Sequence, residues 1–259
     1  MVSLFLILAQ MTLPVRFEPG KAQAPPADRQ VLAQSITLVL KPSRAARDLS
    51  STTMLEQRIQ QQFFESADLK YQSAELLSRP IQDAVAALVG SLTAGGRVLV
   101  AGLGTSASLA QLMASLLIGR FERDRPGLAA MVLGVDGATL AALATDQATA
   151  GSGGSSFDQV LSRQIQTLGQ PGDVLLLIDN EGQHPALLAA AGAAQAKDMT
   201  VIAITGRTGG ALRSALGETD VLVAVPHERR ARVLETQLLV LHCLCDAIDQ
   251  QLLGEQDPA

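Results

Sequence analysis

Five apolar runs punctuate the chain: Val98–Ala101, Ala129–Leu133, Val174–Ile178, Val201–Thr205 and Val221–Val225. Each has the length of a strand and is apolar throughout, the pattern of strands buried on both faces. The segments between them carry helical spacing. Met54–Leu77 places Ile59, Phe63, Leu69, Leu76 and Leu77 among glutamines and charges, as an amphipathic helix does. Pro80 is expected to break it, and Ile81–Leu92 resumes the helical pattern through Val85, Leu88 and Val89. Further helices are predicted at 109–117, 138–145, 157–168, 185–196, 210–216 and 233–253. The stretch 148–156, ATAGSGGSS, reads as a mobile loop. Strands alternating with helices predict an α/β fold with a parallel sheet covered on both faces. Ligands of such sheets bind beyond the carboxyl ends of the strands, at the switch point. The loops at 102–106, 135–137, 179–184, 206–210 and 226–230 are therefore the candidates.

The first strand runs into Gly102-Leu103-Gly104-Thr105-Ser106 and then into a helix. This arrangement aims backbone N–H groups at an anion. Gly102 and Gly104 allow close backbone approach. Thr105 or Ser106 is expected to cap the helix and to offer a hydroxyl to phosphate oxygens. A plain strand-to-helix turn is the alternative. No third glycine follows at dinucleotide-binding spacing.

Composition narrows the function. The net charge is −5 with no tryptophan and one tyrosine, which argues against a nucleic-acid surface. Cys243 and Cys245 lie two apart on a helical segment, point to different faces and fit a reducing cytoplasm. Val2–Leu8 is short and lacks a preceding basic residue and a cleavage site, so it does not read as a leader. Residues 1–53 are expected to be a disordered extension or the product of a start set too early, and 54–259 a single domain.

The motifs AGLGTSASLAQLMASLLIGRFERDRPGLAA (101–130), PGDVLLLI (171–178), KDMTVIAITGRTGG (197–210) and RARVLETQLLVLHCLCDAID (230–249) resemble the SIS (sugar isomerase) family. They are similar to its phosphoheptose isomerase and DiaA group. Thr105-Ser106-Ala107, Gly119–Glu122, Lys197–Thr200 and Cys243–Asp246 are more like DiaA. The resemblance implies a three-layer sandwich with a five-stranded parallel sheet of flavodoxin-like topology. It also implies a homotetramer.

In the isomerases this resemblance implies zinc ligands at a His/Glu pair four apart and a Gln/His pair eight apart. Those positions fall here on Leu112 and Leu116, and on Leu234 and His242. Three aliphatic side chains cannot ligate zinc, so no cofactor is expected and His242 is expected to be packed on its helix. The family's sugar-phosphate loop reads Asp179-Asn180-Glu181-Gly182-Gln183-His184. Two carboxylates there repel a phosphate, although Asn180 and Gln183 can still bond a neutral ligand. The degenerate site would comprise Gly102, Gly104, Thr105, Ser106, Asn180 and Gly182.

The expectation is thus a non-catalytic, cytoplasmic homo-oligomer that, like DiaA, binds the replication initiator DnaA and regulates initiation. It makes no direct contact with nucleic acid or membrane. Leu252 and Leu253 are the candidate partner contact, or else they pack on a neighbouring subunit. Arg229, Arg230 and Arg232 read as a solvated face. The alternatives are a sedoheptulose 7-phosphate isomerase and a sensor that binds a sugar phosphate without turning it over.

Overall fold

The computed structural model describes residues 44–145 and 156–254. The chain divides into two compact units, 1–58 and 59–259. Of the first, the described part is the opening of helix α1 (Arg44–Thr93). That helix begins ten residues before the expected start. The sequence after Pro42 contains no glycine or proline until Pro80, so nothing in it stops a helix. Of the expected extension at 1–53, residues 1–43 lie outside the described residues and 44–53 belong to α1; the expected mobile loop also lies outside them except for Ser156.

The second unit is a three-layer α/β sandwich. Its elements after α1 are β1 (Val98–Gly102), α2 (Thr105–Ile118), β2 (Ala130–Val132), α3 (Gly137–Thr145), α4 (Val160–Leu168), β3 (Val174–Ile178), α5 (Pro185–Gln195), β4 (Thr200–Thr205), α6 (Gly210–Ala215), β5 (Val221–Ala224) and α7 (Arg230–Leu253). The strands are all parallel, in the order β2-β1-β3-β4-β5. The strand period of two sends alternate residues to opposite faces. Val98, Val100, Leu176, Ile178 and Ile204 pack under α1, α2 and α7. Leu99, Ala101, Leu175, Leu177 and Ala203 pack under α4, α5 and α6.

Pro80 does not break α1. Leu69, Ser73 and Leu77 before it and Ala84, Val85 and Leu88 after it are all buried, and Ile81 packs on the same core. The stripe keeps one helical register across the proline. Burial of a continuous face therefore overrides a local cost of about 3 kcal/mol.

On α7, Cys245 is buried with its Sγ 3.7 Å from Met113 Sδ, and both cysteines are free. Burial first, and then the nearby Asp249 charge, push the Cys245 thiol up to about 12, against the opposing effect of Arg125. No described helix is long and apolar enough to cross a membrane.

Helix α3 is started by Asp136. Its carboxylate accepts the Thr139 N–H at 2.9 Å and also the Thr139 hydroxyl. The Thr139 side-chain bond, followed by the backbone bonds, holds this carboxyl below its ordinary value. A depressed folded value means that the stabilisation is present above the unfolded carboxylate value and fades as pH falls through the folded one. Amide protection over 137–145, relative to the intrinsic exchange rate at each pH, is expected to fall in Asp136→Ala at neutral pH. It is also expected to fall in the unaltered protein on acidification below pH ~4. Unchanged protection in both cases would show that α3 does not depend on this cap.

Candidate functional site

The strand order reverses between β1 and β3. The loops leaving those two strands therefore diverge at the carboxyl edge of the sheet, where α/β folds bind ligands. A cleft of about 610 Å3 lies there. Gly104 and Thr105 of the first turn and Asp179, Asn180, Glu181 and His184 of the second loop line it, with Phe157 and Arg230 beside them.

The first turn is tight for a stated reason. A Cβ on Gly102 would stand 2.5 Å from the Ser106 carbonyl oxygen, so glycine lets β1 pass directly beneath the start of α2. Contrary to expectation, neither Thr105 nor Ser106 caps this helix. Gly104 occupies the N-cap with no side-chain bond, because the turn places residue 104 one step before the first helical residue. Thr105 is exposed to the cleft. Ser106 is fully buried, and its hydroxyl has no hydrogen-bond partner among the described residues.

The second loop is fastened mainly by main-chain groups. The Asp179 N–H donates to Ile204 O at 3.0 Å, Gly206 N–H to Asn180 O at 3.0 Å, and Leu212 N–H to Gly182 O at 3.0 Å. Gln237 of α7, fully buried, donates its Nε2 to Asp179 O at 2.7 Å and to Ile204 O at 3.2 Å. The sequence signal for Gln237 is a polar residue inside the apolar stripe Val233, Val240, Leu241 and Leu244.

The two carboxylates expected to repel a phosphate are both engaged. Asp179 Oδ2 accepts the N–H groups of Glu181 at 3.0 Å and Gly182 at 2.5 Å. Glu181 accepts two bonds from the Arg230 guanidinium, the Nε one at 3.0 Å. The electrostatic objection to an anionic ligand is correspondingly weaker. His184 caps α5: its Nδ1 accepts the Ala186 N–H at 3.2 Å, so a neutral ring carries its proton on Nε2. Phe157 stands edge-on to His184, with ring centroids 6.1 Å apart.

Several expected assignments change. The loop at 179–184 forms one wall of the cleft. Arg229 and Arg230 are exposed, as a solvated face requires, and pair with Glu65 and Glu181, whereas Arg232 is buried and pairs with Glu235. Glu65 and Glu181 come from other elements, which spacing alone does not reveal, while Glu235 lies three residues along the same helix. Leu252 and Leu253 do not form a joint patch, because the end of α7 folds Leu252 against the core and leaves Leu253 exposed. His184, Phe157 and Arg230 were not assigned to the site from sequence. His184 immediately precedes Pro185, a helix-start signal that could have singled it out.

The zinc site implied by the family resemblance does not fit these residues. Leu116 and Leu234 pack against the core, Leu112 is half-buried, and His242 lies against Phe121 with ring centroids 5.4 Å apart. Among the described residues no group of three His, Cys, Asp or Glu side chains converges as a metal site.

The SIS domain family matches residues 62–206. The chain is 56% identical over 204 residues to a protein of Methylibium petroleiphilum named phosphoheptose isomerase, covering 79% of this chain and 98% of that one. A Thiobacillus denitrificans protein of the same name is 45% identical over 203 residues, covering 78% and 99%. The structure of phosphoheptose isomerase GmhA from Neisseria gonorrhoeae superposes with a TM-score of 0.69 at 37% identity, covering 76% of this chain and 99% of that one. These similarities bear out the α/β sandwich and its SIS topology. They overturn the expected non-catalytic, DnaA-binding role, since relatives matching over nearly their whole length bear an enzyme's name.

Proposed function

The chain belongs to the SIS-domain family of phosphoheptose isomerases, and from that membership we propose that it is a phosphosugar isomerase working in the switch-point cleft. The observation that carries this reading is the 56% identity spanning 98% of a relative so named. The cleft supports it by bringing a carboxylate, an imidazole and a guanidinium to one wall.

The chemistry is interconversion of an open-chain ketose phosphate and aldose phosphate. A base removes the proton from the carbon beside the carbonyl, and the C–H electron pair becomes the C=C of an enediol. An acid protonates the former carbonyl oxygen; the hydroxyl on the carbon that lost its hydrogen then gives its proton back to the conjugate base of that acid as the new C=O forms, and the first base delivers its proton to the former carbonyl carbon. Glu181 supplies the carboxylate, oriented by Arg230. His184 supplies the Nε2–H aimed at the oxygen, its Nδ1 being occupied by the Ala186 N–H. Thr105, exposed to the cleft at the start of α2, offers its hydroxyl to the phosphate. No step passes through zinc, because the residues at the family's ligand positions cannot hold it.

The test is solvent-deuterium incorporation into sedoheptulose 7-phosphate and a panel of pentose and hexose phosphates, with and without a chelator. Incorporation and isomer formation are expected for at least one of them, with the chelator making no difference. Glu181→Gln and His184→Asn are each expected to lower the rate by roughly 100-fold or more. Absence of exchange in every sugar phosphate would overturn the assignment.

Within the family, Thr105–Ala107 and Cys243–Asp246 place the chain, in our reading, near the DiaA-like sequences. This affiliation by sequence brings no initiator-binding role with it. We also propose that the protein self-associates. On α1, Phe63, Phe64, Tyr71 and Leu76 are all more than half exposed, and a surface carrying that many large apolar side chains marks an association site. Light scattering is expected to give a multiple of the 27.1 kDa chain mass, and Phe63→Glu/Phe64→Glu to reduce it. A monomer at micromolar concentration would refute this.

A further inference from the structure

Helix α7 opens with charges that its own backbone opposes. Arg229 is the N-cap, Arg230 and Arg232 follow in the first turn, and that turn has neither an acidic residue nor a side-chain cap. The free N–H groups of a helix N-terminus carry partial positive charge, so cations there are unfavourable. A turn of this kind frays unless groups outside it hold the arginines.

Those groups come from α1, at residues within the second unit. Gln62 Oε1 accepts a bond from Arg229 Nη2 at 2.8 Å, and Gln62 O accepts one from Arg232 Nη1 at 2.7 Å. Glu65 Oε2 pairs with Arg229 Nη1 at 2.8 Å. Ser66 Oγ donates to Glu235 Oε2 at 2.9 Å, and Glu235 Oε1 lies 2.7 Å from Arg232 Nη2. The Arg232 side chain is only 7% exposed, and hydrogen bonds shielded from water in this way are stronger than those at a wet surface. Arg230 stands between the two anchored arginines in sequence and is the one that reaches the cleft, where it holds Glu181.

We propose that Gln62 and Glu65 are positioning residues for the cleft: by anchoring Arg229 and Arg232 they fix the first turn of α7 and so aim Arg230 at Glu181. The inference rests on the isomerase reading above and extends it to residues that do not line the cleft.

The experiment measures kcat and KM on sedoheptulose 7-phosphate, or on the pentose or hexose phosphate of the same panel that turns over fastest. Gln62→Ala/Glu65→Ala is expected to lower kcat by about 10-fold or more while KM changes by less than about 3-fold, because Glu181 acts in the transition state. Glu65→Arg alone is expected to act likewise, and Glu65→Arg/Arg229→Glu, which restores the pair with its charges reversed, to recover most of the loss. In an Arg230→Gln background the alanine pair is expected to have no further effect on kcat, whereas general loosening of the fold would lower the rate in both backgrounds. Amide protection of Val233, whose N–H donates to Arg229 O at 3.0 Å, is read alongside and needs no substrate. It is expected to fall in the alanine pair and to return in the charge reversal. Unchanged kcat in the alanine pair, or an equal loss with and without Arg230, would overturn the positioning role alone. Unchanged Val233 protection would overturn the anchoring itself. Absence of turnover by the parent on every sugar phosphate would overturn the isomerase reading and the positioning role with it.

Discussion

Arg125→Ala is expected to cost about 3–5 kcal/mol of stability, the range for removing one partner of a buried ion pair. Arg125 and Asp249 are each only 1% exposed, and Arg125 Nε lies 2.5 Å from Asp249 Oδ1. The same guanidinium donates to the carbonyls of Leu117 and Leu116, both at 2.8 Å, and so satisfies the last turn of α2. Asp249 Oδ2 has no hydrogen-bond partner among the described residues, so the pair is not one with bonds to spare. Without Arg125 a carboxylate remains in the core with nothing to offset its desolvation. Total stabilities of domains run to roughly 5–15 kcal/mol, so the variant would lose a large share and could populate unfolded chain at room temperature. The double variant Arg125→Met/Asp249→Leu is expected to recover most of the loss, because both charges leave together. Urea denaturation distinguishes the cases. A single variant within 1 kcal/mol of the parent, taking that as roughly the effect of an ordinary substitution, would show that Asp249 finds another partner.

Gly182→Ala is expected to cut activity or ligand affinity by roughly 100-fold, the effect of moving reacting groups by about 1 Å. Gly182 has φ +68°, and a Cβ there would lie 2.2 Å from the Gly209 carbonyl oxygen. Two penalties therefore coincide. A left-handed conformation costs a non-glycine residue roughly 1–2 kcal/mol, and a backbone oxygen cannot rotate out of the way as a side chain can. The loop must move off the 206–210 turn and carry Glu181 and His184 with it. Gly192→Ala is the comparison: it lies within α5 with nothing within 4 Å of the added carbon, so stability is expected to be unchanged or slightly raised. Equal activity in Gly182→Ala and the parent would mean that the loop tolerates displacement.

Much of the architecture is legible because its signals are local. Strands buried on both faces leave unbroken apolar runs, and all five are found within a residue or two of their expected bounds. The continuity of α1 is not legible: Pro80 is a strong local signal, and what defeats it is burial of Leu77 and Val85 on one core, a tertiary effect. The switch-point loops are legible from topology, which is why Gly104, Thr105 and Asn180 do line the cleft. Arg230 is not, because it meets Glu181 across 49 residues of sequence. The function is misread for a related reason. Counting zinc donors at expected positions says what is missing, whereas the imidazole and carboxylate of the 179–184 loop become a candidate pair only once the fold brings them to one wall.

The path of that loop is set almost wholly by main-chain bonds, to Ile204, Gly206 and Leu212 and to the Gln237 amide, with the Asp179 carboxylate and the backbone conformation of Gly182 completing it. Asn180 and Gln183 are therefore free to vary without unmaking the scaffold beneath them. The cleft behaves as an interchangeable tool head on a fixed shaft, and specificity can drift one residue at a time while the fold is kept.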